Sequence, residues 1–132
     1  MTGFGFNGGM VALGNNAHIF ARTNRREALR RLFEDLIGCA VLNVAHPAMR
    51  EPMLLARFPG GGSLSVEFTD LAPDSDEPRF GAWLEIRSQS PSKLIEILVE
   101  RGIRQVEHPG HPFYFVAPGG QVFTVVEAAG LG

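Results

Sequence analysis

Cysteine is nearly absent from this 132-residue chain, with Cys39 the only one. An internal disulfide is excluded, and the apolar neighbours Ala40, Val41 and Leu42 mark Cys39 as a small buried hydrophobe. A reducing, cytoplasmic setting is the expectation. A surplus of one charge is also lacking, because 12 basic side chains face 14 acidic ones and leave a net charge of -2. No global positive field can hold a nucleic-acid backbone or an anionic membrane, so neither is expected as a partner. Long hydrophobic runs are missing too: nothing approaches the roughly 20 apolar residues that cross a bilayer. The start of the chain has neither the basic opening nor the continuous apolar core of a secretion signal. Residues 1–17 are rich in glycine and asparagine and read as an N-terminal arm. A mobile terminus is the leading expectation for it; the alternative is that Phe4, Phe6, Met10, Val11 and Leu13 bury against a partner subunit. Residues 129–132 read as a short tail.

What is present suits one compact domain over 18–128, since 45% hydrophobic residues can close a single core at this length. Leu29, Leu32, Phe33 and Leu36 recur at i, i+3, i+4 and i+7, the apolar stripe of a helix. Asn24 with Glu27 predicts a capping box, and Gly38 a left-handed stop. A second helix is predicted with Ser90 as N-cap, Pro91 in the first turn, Leu94, Ile97 and Leu98 as the stripe, and Gly102 as the stop. Eight short runs, mostly alternating, predict strands: 17–22, 39–44, 53–58, 63–68, 81–87, 103–107, 113–116 and 122–127. The polar interval 69–78 separates two groups of identical order: strand, helix, three strands.

Residues repeat as well as elements. Val44-Ala45-His46-Pro47 returns as Val106-Glu107-His108-Pro109, and Pro59-Gly60-Gly61 before Leu64-Ser65-Val66 returns as Pro118-Gly119-Gly120 before Phe123-Thr124-Val125. Such duplication indicates two modules, 18–68 and 80–128, neither of which buries its hydrophobic face alone.

With His18 opening the first strand, the helix ending Leu36-Ile37-Gly38 and the closing run from Phe113 to Glu127, the chain resembles the vicinal oxygen chelate superfamily. That superfamily includes glyoxalase, bleomycin-resistance proteins and extradiol dioxygenases. The resemblance covers about residues 17–128. It implies an α+β fold of two tandem β-α-β-β-β modules, whose eight strands form a curled mixed sheet around a cleft with the helices outside. It also implies a homodimer with clefts completed across the subunit interface. Strand alternation then points His18, Phe20 and Arg22, Ser65 and Glu67, Gly81, Trp83, Glu85 and Arg87, and Thr124 into the cleft.

Metal-dependent members of the superfamily place a His or Glu on the first and last strands of each module. His18 suits such a role. The second module offers Gly81, or Trp83 if the register slips by two, while the last strands offer Thr124 and Ser65, with Glu67 two residues along. Two ligands fall short of the three that a catalytic site usually needs, so neither metal nor cofactor is expected. The plainer reading of His18 is a histidine hydrogen-bonded to the sheet, and of Glu67 a carboxylate paired with Arg22 or Arg87. His46, His108 and His111 sit among prolines and glycines and read as turn residues. No nucleophile stands beside an obvious base in the sequence, and the glycine runs lack the Lys-Ser/Thr ending of a phosphate loop.

The leading expectation is a protein that binds a small, partly aromatic molecule without a metal. Phe20, Trp83 and Tyr114 would supply stacking surface, and His18, Glu67, Glu85, Arg87 and Thr124 would orient polar groups. The alternative is a divalent-metal lyase, isomerase or dioxygenase using His18 and Glu67. A third reading is a module whose cleft is filled by its own side chains.

Overall fold

The computed structural model describes residues 9–128. Of the predicted arm, residues 1–8 lie outside the described residues, as does the predicted tail at 129–132. Met10 and Leu13 are almost fully exposed, and 16 and 17 already belong to the first strand.

The first module runs β1 (Asn16–Ala21), a helical segment α1 (23–37), β2 (Ala40–Val44), β3 (Met53–Arg57) and β4 (Ser63–Phe68). The second runs β5 (Arg79–Ser88), α2 (Pro91–Glu100), β6 (Arg104–His108), β7 (His111–Val116) and β8 (Gln121–Glu127). Each module makes one mixed sheet, ordered β1-β4-β3-β2 in sheet 1 and β5-β8-β7-β6 in sheet 2. The first strand lies parallel to the last, and the other pairs are antiparallel. A parallel pair cannot be closed by a tight turn, so each helix lies in the connection that separates the two partners. The α+β class and the paired modules are those expected. Within one chain, however, the eight strands form two sheets of four rather than one continuous sheet.

The helices explain the division. Leu29, Leu32 and Phe33 of α1 and Ile95 and Leu98 of α2 are buried in a single core with the inward residues of both sheets. The Phe33 ring meets Phe58 of the first module at 6.2 Å and Phe123 of the second at 6.1 Å, both edge-on. Polar contacts reinforce the join. Arg25 donates from Nε to Asp76 at 2.8 Å and from a terminal nitrogen to Asp74 at 2.7 Å, while Asp76 also accepts the Gly119 amide at 2.8 Å. The inner faces are thus covered by this common core; the outer face of sheet 1 leaves Phe20 and Leu42 half exposed, whereas the outer face of sheet 2 buries Val106, Tyr114, Val116 and Val122 and exposes chiefly β5.

Two helix details differ from expectation. The capping box does not form, because Asn24 donates to Asp74 and accepts from Arg25, while Glu27 accepts from Arg30. The segment instead opens with a 3₁₀ turn over Thr23–Arg25, is α-helical over Arg26–Arg30, and widens to a π-helix over Arg31–Ile37 that ends on left-handed Gly38. In α2 the buried stripe uses Ile95 where Ile97 was expected; Ile97 is turned toward solvent. Among the described residues no helix is long and apolar enough to cross a membrane.

Candidate functional site

The two outer sheet faces carry the predicted site residues. On sheet 1, His18 and Phe20 project outward from β1 because Ile19 and Ala21 take the inward positions. His18 is in register with Ser65, and Phe20 with Glu67. The side chains connect: His18 Nδ1 lies 2.6 Å from Ser65 Oγ and Nε2 lies 3.0 Å from Glu67 Oε1. Phe20 sets its edge against the His18 ring at 5.0 Å. Glu67 therefore pairs with His18 rather than with either arginine. Arg22 donates to the Ala72 carbonyl at 2.8 Å, and Arg87 reaches Glu85 at 3.5 Å.

On sheet 2 the outward residues of β5 are Trp83, Glu85 and Arg87, in register with Val122, Thr124 and Val126 of β8. The Trp83 ring reaches across β8, with its centroid 5.7 Å from that of Tyr114 and 6.3 Å from that of His108. Tyr114 and His108 are themselves 5.4 Å apart. These aromatics lie over a small second cluster formed by Val106, Tyr114, Val116 and Val122. The tryptophan keeps 52% of its surface exposed, whereas Tyr114 keeps 2% and Thr124 7%. Trp83 is thus an open aromatic surface on a closed aromatic base. At one end of this sheet a cavity of about 510 Å³ opens between the start of α2, the β6–β7 turn and β8, touching Tyr114, Thr124 and Glu127.

The register corrects the second-module position. The repeat aligns Ser65 with Thr124, and the residue paired with Thr124 is Glu85, just as His18 pairs with Ser65. Neither Gly81 nor Trp83 occupies that place. The shift arises at the start of β5, where Arg79 pairs with Gln121 but Trp83 already pairs with Val122, so the intervening residues bulge out of the ladder. Counting from the sequence could not reveal that bulge.

The equivalent strand positions are therefore His18, Ser65, Glu85 and Thr124. Two are neutral hydroxyls, and both nitrogens of His18 already have partners. Among the described residues no three His, Cys, Asp or Glu side chains converge to hold an ion. Within one chain these residues do not make a metal-ligand set. His46 accepts from the Ala48 amide, and the backbones of His108 and His111 are in register across the turn that Gly110 allows. Cys39 is buried, which pushes its thiol up to about 12 and removes it as a nucleophile at neutral pH.

The sequence matches no protein-family model and no curated protein. Solved structures do match. An antibiotic binding protein, TnmS3 from Streptomyces sp. CB03234, is 17% identical over 89% of this chain and 98% of its own, with a TM-score of 0.60. A glyoxalase family protein from Bacillus anthracis is 13% identical over 90% and 97%, with a TM-score of 0.70. A member of the glyoxalase/bleomycin resistance protein/dioxygenase superfamily from Sphaerobacter thermophilus DSM 20745 is 16% identical over 89% and 98%, with a TM-score of 0.64. The chain has the vicinal oxygen chelate fold. At such identities the likeness defines the architecture and leaves the chemistry to the residues on the two outer faces.

Proposed function

We propose that this protein binds a small, partly aromatic molecule against its outer sheet faces, without a catalytic metal, as a cytoplasmic homodimer whose clefts are completed between two copies. The observation that carries this reading is Trp83, half exposed over Tyr114 and His108. A rigid indole backed by buried rings offers a stacking surface at little conformational cost, and Glu85 and Arg87 beside it can orient polar groups. Phe20 and Leu42, about half exposed on the outer face of sheet 1, extend the apolar lining. The dimer rests on the resemblance to the superfamily, and the exposed apolar residues Phe20, Leu42 and Trp83 are surface that a second copy would cover. The antibiotic-binding neighbour from Streptomyces is consistent with binding as the activity of this fold.

A second reading has one specific observation in its favour. Glu85 occupies the position equivalent to His18. If sheet 1 of one copy faces sheet 2 of another, His18 and Glu67 share a cleft with Glu85 of the partner subunit, and a divalent-metal lyase, isomerase or dioxygenase becomes the alternative. Titration with zinc, nickel, manganese and iron separates the two. Stoichiometric binding lost in both His18→Ala and Glu85→Ala supports the metal enzyme, and no binding by any of the four supports the metal-free cleft.

A further inference from the structure

The polar strip on sheet 1 is arranged for more than ligand orientation. A carboxylate only accepts hydrogen bonds, so the neutral His18 ring carries its hydrogen on Nε2, facing Glu67, and leaves Nδ1 as an acceptor. Ser65 then donates its hydroxyl hydrogen to Nδ1 at 2.6 Å, in preference to the Ala17 carbonyl at 3.4 Å. A hydroxyl held by an imidazole, itself oriented by a carboxylate, is the arrangement that activates a serine. We propose that Ser65 is a nucleophile toward small carboxylic esters, with His18 as its general base and Glu67 as the orienting carboxylate.

The surroundings fit that chemistry. All three residues stand on the parallel pair β1 and β4, so regular strands rather than loops set their spacing. The side chains of His18 and Glu67 keep 38% and 31% of their surface, and Ser65 between them is half-buried. Leu55 lies beside Ser65 in register, with Leu42 beyond it, and Phe20 flanks His18; these form an apolar bed for an acyl or aryl group. On the other side lie Asn16 and Arg57, both aligned with Ser63. Arg57 has no hydrogen bond or ion pair among the described residues, so its guanidinium can turn to the oxygen that gains negative charge.

The reaction balances without a cofactor. Ser65 Oγ bonds to the ester carbonyl carbon as its proton passes to His18 Nδ1. The bond to the leaving oxygen breaks, and that oxygen takes the proton and departs as an alcohol, leaving acyl-Ser65. Water then gives a proton to Nδ1 and bonds to the acyl carbon; the Ser65–acyl bond breaks, the proton returns to Oγ, and the acid leaves. The sum is ester plus water to acid plus alcohol.

The test uses the full chain with a fluorophosphonate probe and p-nitrophenyl acetate. A single phosphonyl adduct on Ser65 is expected by peptide mass spectrometry, none at that position in Ser65→Ala, and labelling at least about 100-fold slower in His18→Ala. Ester hydrolysis falls to background in Ser65→Ala and is slowed in Glu67→Gln, with melting curves of all variants confirming that they fold. An unlabelled Ser65, or a folded Ser65→Ala that hydrolyses the ester at the wild-type rate, overturns the proposal. Both readouts are taken at Ser65 on sheet 1, whereas the binding reading is tested at Trp83 on sheet 2, so either can fail alone.

Discussion

Phe33 is the residue on which the two modules depend in common. It is fully buried, sits on the helix of the first module, and touches a ring from each half. Phe33→Ala is expected to lower the unfolding free energy by about 3–5 kcal/mol, measured by urea denaturation, because a cavity opens where helix and both sheets meet. Asp76 acts at the surface. Its hydrogen bond to Arg25, followed by that to the Gly119 amide, holds its carboxyl below the ordinary value of 3.8. A depressed carboxyl contributes stability above its unfolded value, and that contribution is lost as pH falls through the folded one. Asp76→Asn is therefore expected to cost about 0.5–1 kcal/mol at pH 7, kept small by solvent exposure, and progressively less in melts taken below pH 3.8. A penalty equal at both ends of that range would remove the ionic role.

At the scale of elements, the turn between β7 and β8 fixes how the second module meets the linker. Gly120 has φ of +100°, and a Cβ there would stand 2.6 Å from the Glu77 carbonyl oxygen. Gly61, its counterpart in the first module, has φ of +112° and open space around it. Gly120→Ala is expected to destabilise by at least about 2 kcal/mol and Gly61→Ala by about half that, compared by thermal melts. Much of this level was legible in the sequence. The repeat of Pro-Gly-Gly, the two helical stripes and the alternating runs gave all ten elements in order, because each rests on local periodicity and turn chemistry. The approach of Ser65 to His18 was not legible, since parallel pairing joins residues 47 apart and no local signal reports it. The bulge that puts Glu85 at the His18-equivalent position was hidden for a similar reason: strand alternation fixes a face but not a partner. The exposed Ile97 shows the limit of the stripe argument, because Ile95 and Ile97 offer competing apolar positions and only packing chooses between them.

At the scale of the whole molecule, one shared core joins two sheets that face outward. One chain buries its helices between two sheets whose outer faces point apart, and the proposed cleft is completed by a second copy. Sedimentation equilibrium is expected to give twice the 14.3 kDa chain mass. A monomer at all concentrations would leave each face as a half-site and remove the shared cleft. The central claim is that the Trp83 face binds an aromatic ligand, and Trp83 is the only tryptophan in the chain. The most direct measurement is its emission during titration with planar polycyclic aromatic compounds such as acridines, paired with calorimetry on wild type and Trp83→Ala. The account predicts saturable quenching at one ligand per chain and about tenfold weaker binding in Trp83→Ala. Unchanged emission across the panel, or equal affinity in the variant, would contradict it.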